Sequence, residues 1–169
     1  MRCQFINSTK LVILFKIDLN KIIFFKYKIM EGTHTSKNGI PLKFIDLCSG
    51  IGGFHQALSN MGMECVMASD IDEKCRENYE LNYNLKPEGD LTKIDIKKIP
   101  TFDVLCAGFP CQPFSKAGEQ KGFEDNRGNI FFDICKIIQH HNPKYFILEN
   151  VRNLASHDGG NTWEVMKTK

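Results

Sequence analysis

The stretch from Phe44 to Leu58, FIDLCSGIGGFHQAL, restricts the fold more than any other part of the chain. An apolar run ends in Asp46, a glycine-rich turn follows, and apolar residues then recur at helical spacing, so the segment reads as strand, tight turn and helix. Gly50, Gly52 and Gly53 let the backbone bend sharply and let a ligand approach the main chain where the helix begins. A second apolar run, CVMAS, leads to Asp70, about 20 residues past the turn, where a carboxylate can accept hydrogen bonds from ribose hydroxyls. A dinucleotide site favours the fuller G-x-G-x-x-G spacing, and His55 stands at its sixth position, so NAD is disfavoured. An uncharged or cationic nucleoside cofactor suits this turn better.

The remaining periodicity continues the same alternation. Strands are expected near Leu42 to Leu47, Glu64 to Ser69, Phe102 to Ala107 and Tyr145 to Leu148. Helices are expected near Phe54 to Met61, Asp72 to Tyr83 and Asn129 to His140, with Asn142 and Pro143 ending the last. Strands alternating with helices predict an α/β fold, a Rossmann-like doubly wound sheet covered on both faces. At 169 residues and 42% hydrophobic content the chain can bury one domain core. KPEGDLTKID offers Asp90 at a further strand end, the place where such sheets hold ligands; the alternative is a solvated turn acid.

GFPCQPFS, Gly108 to Ser115, follows an apolar run and sets Cys111 between Pro110 and Pro113. The prolines stiffen the backbone around the sulfur, and Gly108 permits close approach of another molecule. A thiol presented this way can attack an electrophilic carbon. The plainer reading is a cysteine acting as a small buried hydrophobe.

DLCSGIGGF, the acid at Asp70, GFPCQPFSKAG with QKGFEDNRGNIFFDI, and ENVRN at Glu149 to Asn153 occur in one order. Together they resemble the N-terminal catalytic half of the cytosine-5 DNA methyltransferases, from about Phe44 onward. The resemblance implies S-adenosylmethionine as cofactor, held by Asp46, Cys48, Gly50, Gly52, Gly53, Phe54, Asp70, Ile71, Asp90, Leu91, Gly108, Pro110 and Ile130. Asp90 would meet the adenine amino group. Two departures stand out: Cys48 and Ile71 occupy places where relatives often carry aromatic side chains, which keeps an apolar wall but loses stacking.

The chemistry required matches the residues. Cytosine C5 is a poor nucleophile, and attack of the Cys111 thiolate on C6 pushes electron density towards it. Glu149, just after an apolar strand, is the candidate donor to ring N3; otherwise it is a strand-end acid paired with Arg152. Asn150, Gln112 and Ser115 complete the candidate catalytic set. Because C6 is hidden in the duplex stack, the partner implied is double-stranded DNA with a flipped cytosine. The stretch SKAGEQKGFEDNRG, with Gly118, Gly122 and Gly128 as hinges, would close over the base, and Lys116, Lys121 and Arg127 are candidates for phosphate contacts.

Residues 1 to 43 carry eight basic and two acidic side chains, and the remainder 14 basic and 18 acidic, so the catalytic part is net −4. An acidic body grips phosphates poorly, so a basic recognition domain is expected from elsewhere, or a separately encoded C-terminal half. With that half absent, the sheet is expected to leave an apolar edge uncovered. Two other readings share the blocks. RNA cytosine-5 methyltransferases of this type usually carry a second proline where Phe109 stands, which favours DNA, and an inactive cofactor-binding remnant would keep the glycine turn without turnover. Seven cysteines without C-x-x-C pairs suggest reduced thiols in a cytoplasmic protein and no metal site, and the resemblance implies association with the nucleoid if the protein is bacterial. The apolar patches LVILF and IIFF are short and broken by Lys16, Asp18, Asn20 and Lys21, so no membrane span is expected. Residues 1–29 are expected to be a leader from an upstream reading frame, with 30–169 forming the catalytic part from Met30; the alternative is a real extra strand.

Overall fold

The computed structural model describes residues 10–16, 39–110 and 130–167. Five strands form one sheet: β1 (Lys10–Lys16), β2 (Lys43–Leu47), β3 (Glu64–Ser69), β4 (Val104–Gly108) and β5 (Tyr145–Val151). Their order across the sheet is β1-β5-β4-β2-β3. β2, β3, β4 and β5 run parallel, and β1 lies antiparallel to β5 from Lys10 opposite Val151 to Lys16 opposite Tyr145. An apolar sheet edge was expected to stand uncovered; the β5 edge is paired, by residues within the segment read from sequence as leader. β5 is also longer than expected, because its pairing continues past Leu148 to Val151.

The parallel strands are apolar because both faces are covered. Side chains alternate between faces along each strand, so Ile45, Leu47, Leu105 and Ala107 enter one core with Ile134 and Ile137 of helix α3 (Ile130–His141). Phe44, Val104 and Cys106 enter the other, against Leu58 of α1 (Gly53–Ser59). Asp46 shares the parity of Phe44 and so points towards that second layer. Helix α3 ends at His141 and is followed by Asn142, whose φ of 45° gives the left-handed cap that asparagine tolerates.

Helix α2 (Glu73–Tyr83) is mostly polar and starts on Asp72, whose carboxylate accepts from the Lys74 and Cys75 amides at 2.8 and 3.2 Å. Its one buried side chain is Tyr79. Beyond it, Glu88 forms a single parallel bridge with Ser69, and the 3-10 turn Leu91–Lys93 opens on Asp90. A segment over Arg152–Gly160, 3-10 in part and kinked at His157, Asp158 and Gly159, and helix α4 (Asn161–Lys167) follow β5. No helix among the described residues is long and apolar enough to cross a membrane.

From β2 the chain moves outward to β3, then returns to place β4 on the other side of β2. The strand order reverses between β2 and β4, and ligands of open α/β sheets bind at the carboxyl ends of strands flanking such a switch.

Candidate active site

The turn after β2 lies at that switch point, and its shape needs glycine. Gly52 has φ +91°, and a Cβ there would sit 2.2 Å from Cε2 of Tyr83. The turn is fastened to the end of β3: the Ser49 amide donates to the Ser69 carbonyl at 3.0 Å, and the Gly50 amide donates to Oδ2 of Asp70 at 2.7 Å. The other Asp70 oxygen accepts from the Asp72 amide at 2.9 Å. Asp70 thus joins the turn to α2, and each of its oxygens keeps a lone pair for a further donor.

Asp46 is wholly buried at the end of β2. Burial pushes its carboxyl up to about 7; hydrogen bonds from the His55 amide and the Tyr79 hydroxyl work against this, and the Asp70 charge adds to it. The Tyr79 hydroxyl lies 3.5 Å from Asp46 Oδ2 and is hydrogen-bonded to His55 Nδ1 at 2.7 Å. Asp46 Oδ1, Ser49 Oγ and Ser69 Oγ are buried without a hydrogen-bond partner. Leaving a buried polar atom unpaired costs about 1–3 kcal/mol, so three at adjoining strand ends mark a place that another molecule completes. The Asp70 carboxylate, the buried Asp46 carboxyl and two hydroxyls without partners suit a ligand with hydroxyls and positive charge. S-adenosylmethionine, with its ribose, ammonium and sulfonium, has that chemistry. Exposed Ile71 and Ile51, at 75% and 67%, add apolar surface next to the turn.

The ends of β4 and β5 bring the second group together. Gly108 pairs in register with Glu149. A Cβ on Gly108 would lie 3.2 Å from Glu149 Oε2 and 3.9 Å from the Cys48 carbonyl, so this glycine sits between the cofactor-side turn and the candidate proton donor. Asn150, 2% exposed, donates from Nδ2 to the Phe109 carbonyl at 3.1 Å and accepts the Val151 amide at 2.8 Å. That bond fixes the backbone two residues before Cys111. Phe109 is buried and packs on Phe131 at a centroid distance of 5.9 Å.

Four described thiols are poor nucleophiles. Burial pushes Cys48 up to about 12 and Cys65 to about 11, raises Cys106 well above the ordinary thiol value, and raises Cys75. Cys111, Gln112, Ser115, Lys116, Lys121 and Arg127 lie outside the described residues, as does the rest of the expected covering loop. Of the remaining candidates, Asp46, Cys48, Gly50, Gly52, Gly53, Asp70 and Ile71 gather at the ends of β2 and β3, while Gly108, Pro110, Glu149 and Asn150 gather at β4 and β5. Asp90 stands past the Glu88 bridge; hydrogen bonds from Thr92 hold its carboxyl below the usual range. Leu91 buries its side chain in the main core, Ile130 packs against that core, and Phe54 packs against the opposite one. Among the described residues no group of three or more His, Cys, Asp or Glu side chains could hold a metal ion. Sequence reasoning missed Ser49, Ser69, His55, Tyr79 and Tyr83. Tyr79 and Tyr83 stand four apart on one helix, but that spacing alone carries no sign of their contacts with α1.

Residues 42–169 match the model of the C-5 cytosine-specific DNA methylase family. The chain belongs to that family. It is 56% identical over 126 residues to the Type II methyltransferase M.HhaI of Haemophilus parahaemolyticus, covering 75% of this chain and 38% of that protein. It is 53% identical over 139 residues to the Type II methyltransferase M.HpaII of Haemophilus parainfluenzae, covering 81% and 39%. The chain thus spans under two-fifths of the length of these curated relatives. Among solved structures, it is similar to the Dnmt2 methyltransferase of S. pombe, with TM-score 0.58 and 28% identity over 74% of this chain and 41% of that one. A likeness to the Entamoeba histolytica methyltransferase EhMeth, with TM-score 0.62 and 20% identity over 76% and 42%, shows the shared fold.

Proposed function

We propose that this chain binds S-adenosylmethionine in the crevice between β2 and β4 and adds its Cys111 thiolate to C6 of a cytosine flipped out of duplex DNA. The outcome is methylation of C5, in a restriction-modification or solitary methylation system. The observation that carries the reading is the position of Gly108, within 4 Å of both the Cys48 carbonyl and Glu149 Oε2 if it bore a Cβ. The turn that would hold the cofactor and the acid that would serve the base therefore approach one residue, and the chain reaches Cys111 three residues later.

Asp46, Asp70, Ser49 and Ser69 would hold the cofactor by its donors and its positive charge. When bound, S-adenosylmethionine supplies an electrophilic methyl group. As the Cys111 sulfur bonds to C6, the C5–C6 π electrons become available at C5, and Glu149 donates a proton to N3 to neutralise the ring. Asn150 keeps the lead-in to Cys111 in place through the Phe109 carbonyl. Once C5 carries its methyl group, the proton on C5 leaves to water, the S–C6 bond breaks to release the thiolate, and N3 returns its proton to Glu149, restoring the aromatic ring and the starting acid. Phe109, together with the family match, favours DNA over RNA as acceptor.

Covalent trapping tests the reading. Duplex DNA bearing a fluorinated cytosine, which cannot lose a proton from C5, is mixed with the chain and S-adenosylmethionine, alone and with a C-terminal segment supplied in trans. A crosslink that maps to Cys111 and disappears in Cys111→Ser is expected. Its absence under both conditions would refute the proposal.

A further inference from the structure

We propose that Tyr83 is a positioning residue whose hydroxyl latches the glycine turn in its ligand-receiving shape, so that its removal weakens the cofactor site without dismantling the fold. The inference rests on the cofactor assignment above and adds to it a residue outside the turn. Tyr83 is the last residue of α2, yet its hydroxyl donates to the Gly52 carbonyl at 3.0 Å and lies 3.4 Å from the Ile51 carbonyl. The Gly52 carbonyl is also the acceptor for the Gln56 amide at 2.9 Å, the first bond of α1. One carbonyl therefore takes two donors, one from its own helix and one from across the layer, and is fixed in two directions.

The ring is held as firmly as the hydroxyl. It stacks on the His55 imidazole at 3.9 Å and 14°, and meets Tyr79 edge-on at 4.8 Å. Tyr79 is in turn hydrogen-bonded to His55 and lies against Asp46. Two tyrosines one helical turn apart thus grip the first turn of α1. The fit leaves no slack, since the Tyr83 ring fills the space a Cβ on Gly52 would need. Gly52 sits at φ +91° and provides no side chain to cap α1, so the turn has few restraints of its own. A cofactor bound by the turn needs that shape in advance, because ordering a loose loop on binding subtracts from affinity.

Tyr83→Phe keeps the ring and deletes the hydroxyl, and Tyr83→Leu deletes both. Site-resolved amide hydrogen exchange and calorimetric titration with S-adenosylhomocysteine are measured on the full chain and both variants. Loss of one hydrogen bond predicts ~3- to 10-fold faster exchange in Tyr83→Phe at the Gly52 and Gln56 amides, and a similar rise in Kd. Exchange in the middle of α3 should be unchanged, which separates a local latch from general loosening. Tyr83→Phe matching the wild type in both measurements would overturn the proposal, as would a loss confined to Tyr83→Leu. Failure of the wild type to bind S-adenosylhomocysteine would instead refute the cofactor assignment, and the exchange comparison would then decide the latch alone.

Discussion

Replacing Asp46 with asparagine should make the ligand-free protein more stable at pH 8 while weakening its hold on the cofactor. Asp46 is fully buried, and desolvation holds its carboxyl at about 7 in the fold against about 4 in an unfolded chain. Between those values the folded protein keeps a proton that the unfolded chain releases, so stability falls as pH rises through this window and levels off above about 7. At ~1.4 kcal/mol per pH unit the full span amounts to about 4 kcal/mol, a large part of the stability of an ordinary domain. Asparagine imitates the neutral acid and has no such slope. Its amide brings new donors into a wholly buried position, so the gain at pH 8 should fall somewhat short of 4 kcal/mol, roughly 2–3. Urea unfolding of wild type and Asp46→Asn at pH 5, 6, 7 and 8 measures the difference. Acids whose pKa is lowered on folding, such as Asp90 and Asp103, tilt both curves equally and cancel. Curves that stay parallel from pH 5 to 7 would show that Asp46 does not keep its proton and would refute the burial argument.

Gly52→Ala should cost about 2–4 kcal/mol in urea unfolding, because the added methyl meets the Tyr83 ring and the backbone lies in the left-handed region. If it melts with the wild type, the turn is not packed as described. Asn150→Ala leaves the buried Phe109 carbonyl without its donor and should cost about 1–3 kcal/mol, together with a drop in Cys111 trapping. Trapping at the wild-type rate would remove Asn150 from the positioning role. Glu149→Gln should slow methyl transfer ~10²- to 10⁴-fold while leaving S-adenosylhomocysteine binding intact, as radiolabel incorporation and calorimetry would show. Asp72→Ala should lower stability by about 1 kcal/mol by uncapping α2, with thermal melting as the check.

The parts of the fold legible in the sequence were those fixed by local pattern. β2 and β4 are read easily because strands buried on both faces are continuous apolar runs, and α3 because Phe131, Ile134 and Ile137 recur at helical spacing. The 3-10 turns at Leu91–Lys93 and Ile96–Lys98 were not foreseen, although Asp90 and Asp95 each accept the amide two residues on, a local signal that was present. The Arg152–Gly160 segment and α4 were missed because Asp158, Gly159 and Gly160 break any period with positive φ. The bridge from Ser69 to Glu88 and the pairing of β1 with β5 are decisions of tertiary packing that no short window contains.

The same division runs through the candidate site. Asp46, Gly50, Gly52 and Asp70 could be picked out because a turn leaves its chemistry in adjacent residues. Tyr79 and Tyr83 could not, because their role depends on α2 folding back across α1, and in sequence they look like ordinary residues of a polar helix. Gly108 lies between these cases. Its glycine is visible in GFPCQPFS, but the reason for it is the approach of Glu149 from one neighbouring strand and Cys48 from the other. A side chain at this position would push the Glu149 carboxylate away from the turn, since 3.2 Å is too close for a Cβ and a carboxylate oxygen to share comfortably. The absence of one methyl group is therefore what allows two sets of residues, 60 apart in the sequence from Cys48 to Gly108, to serve one crevice.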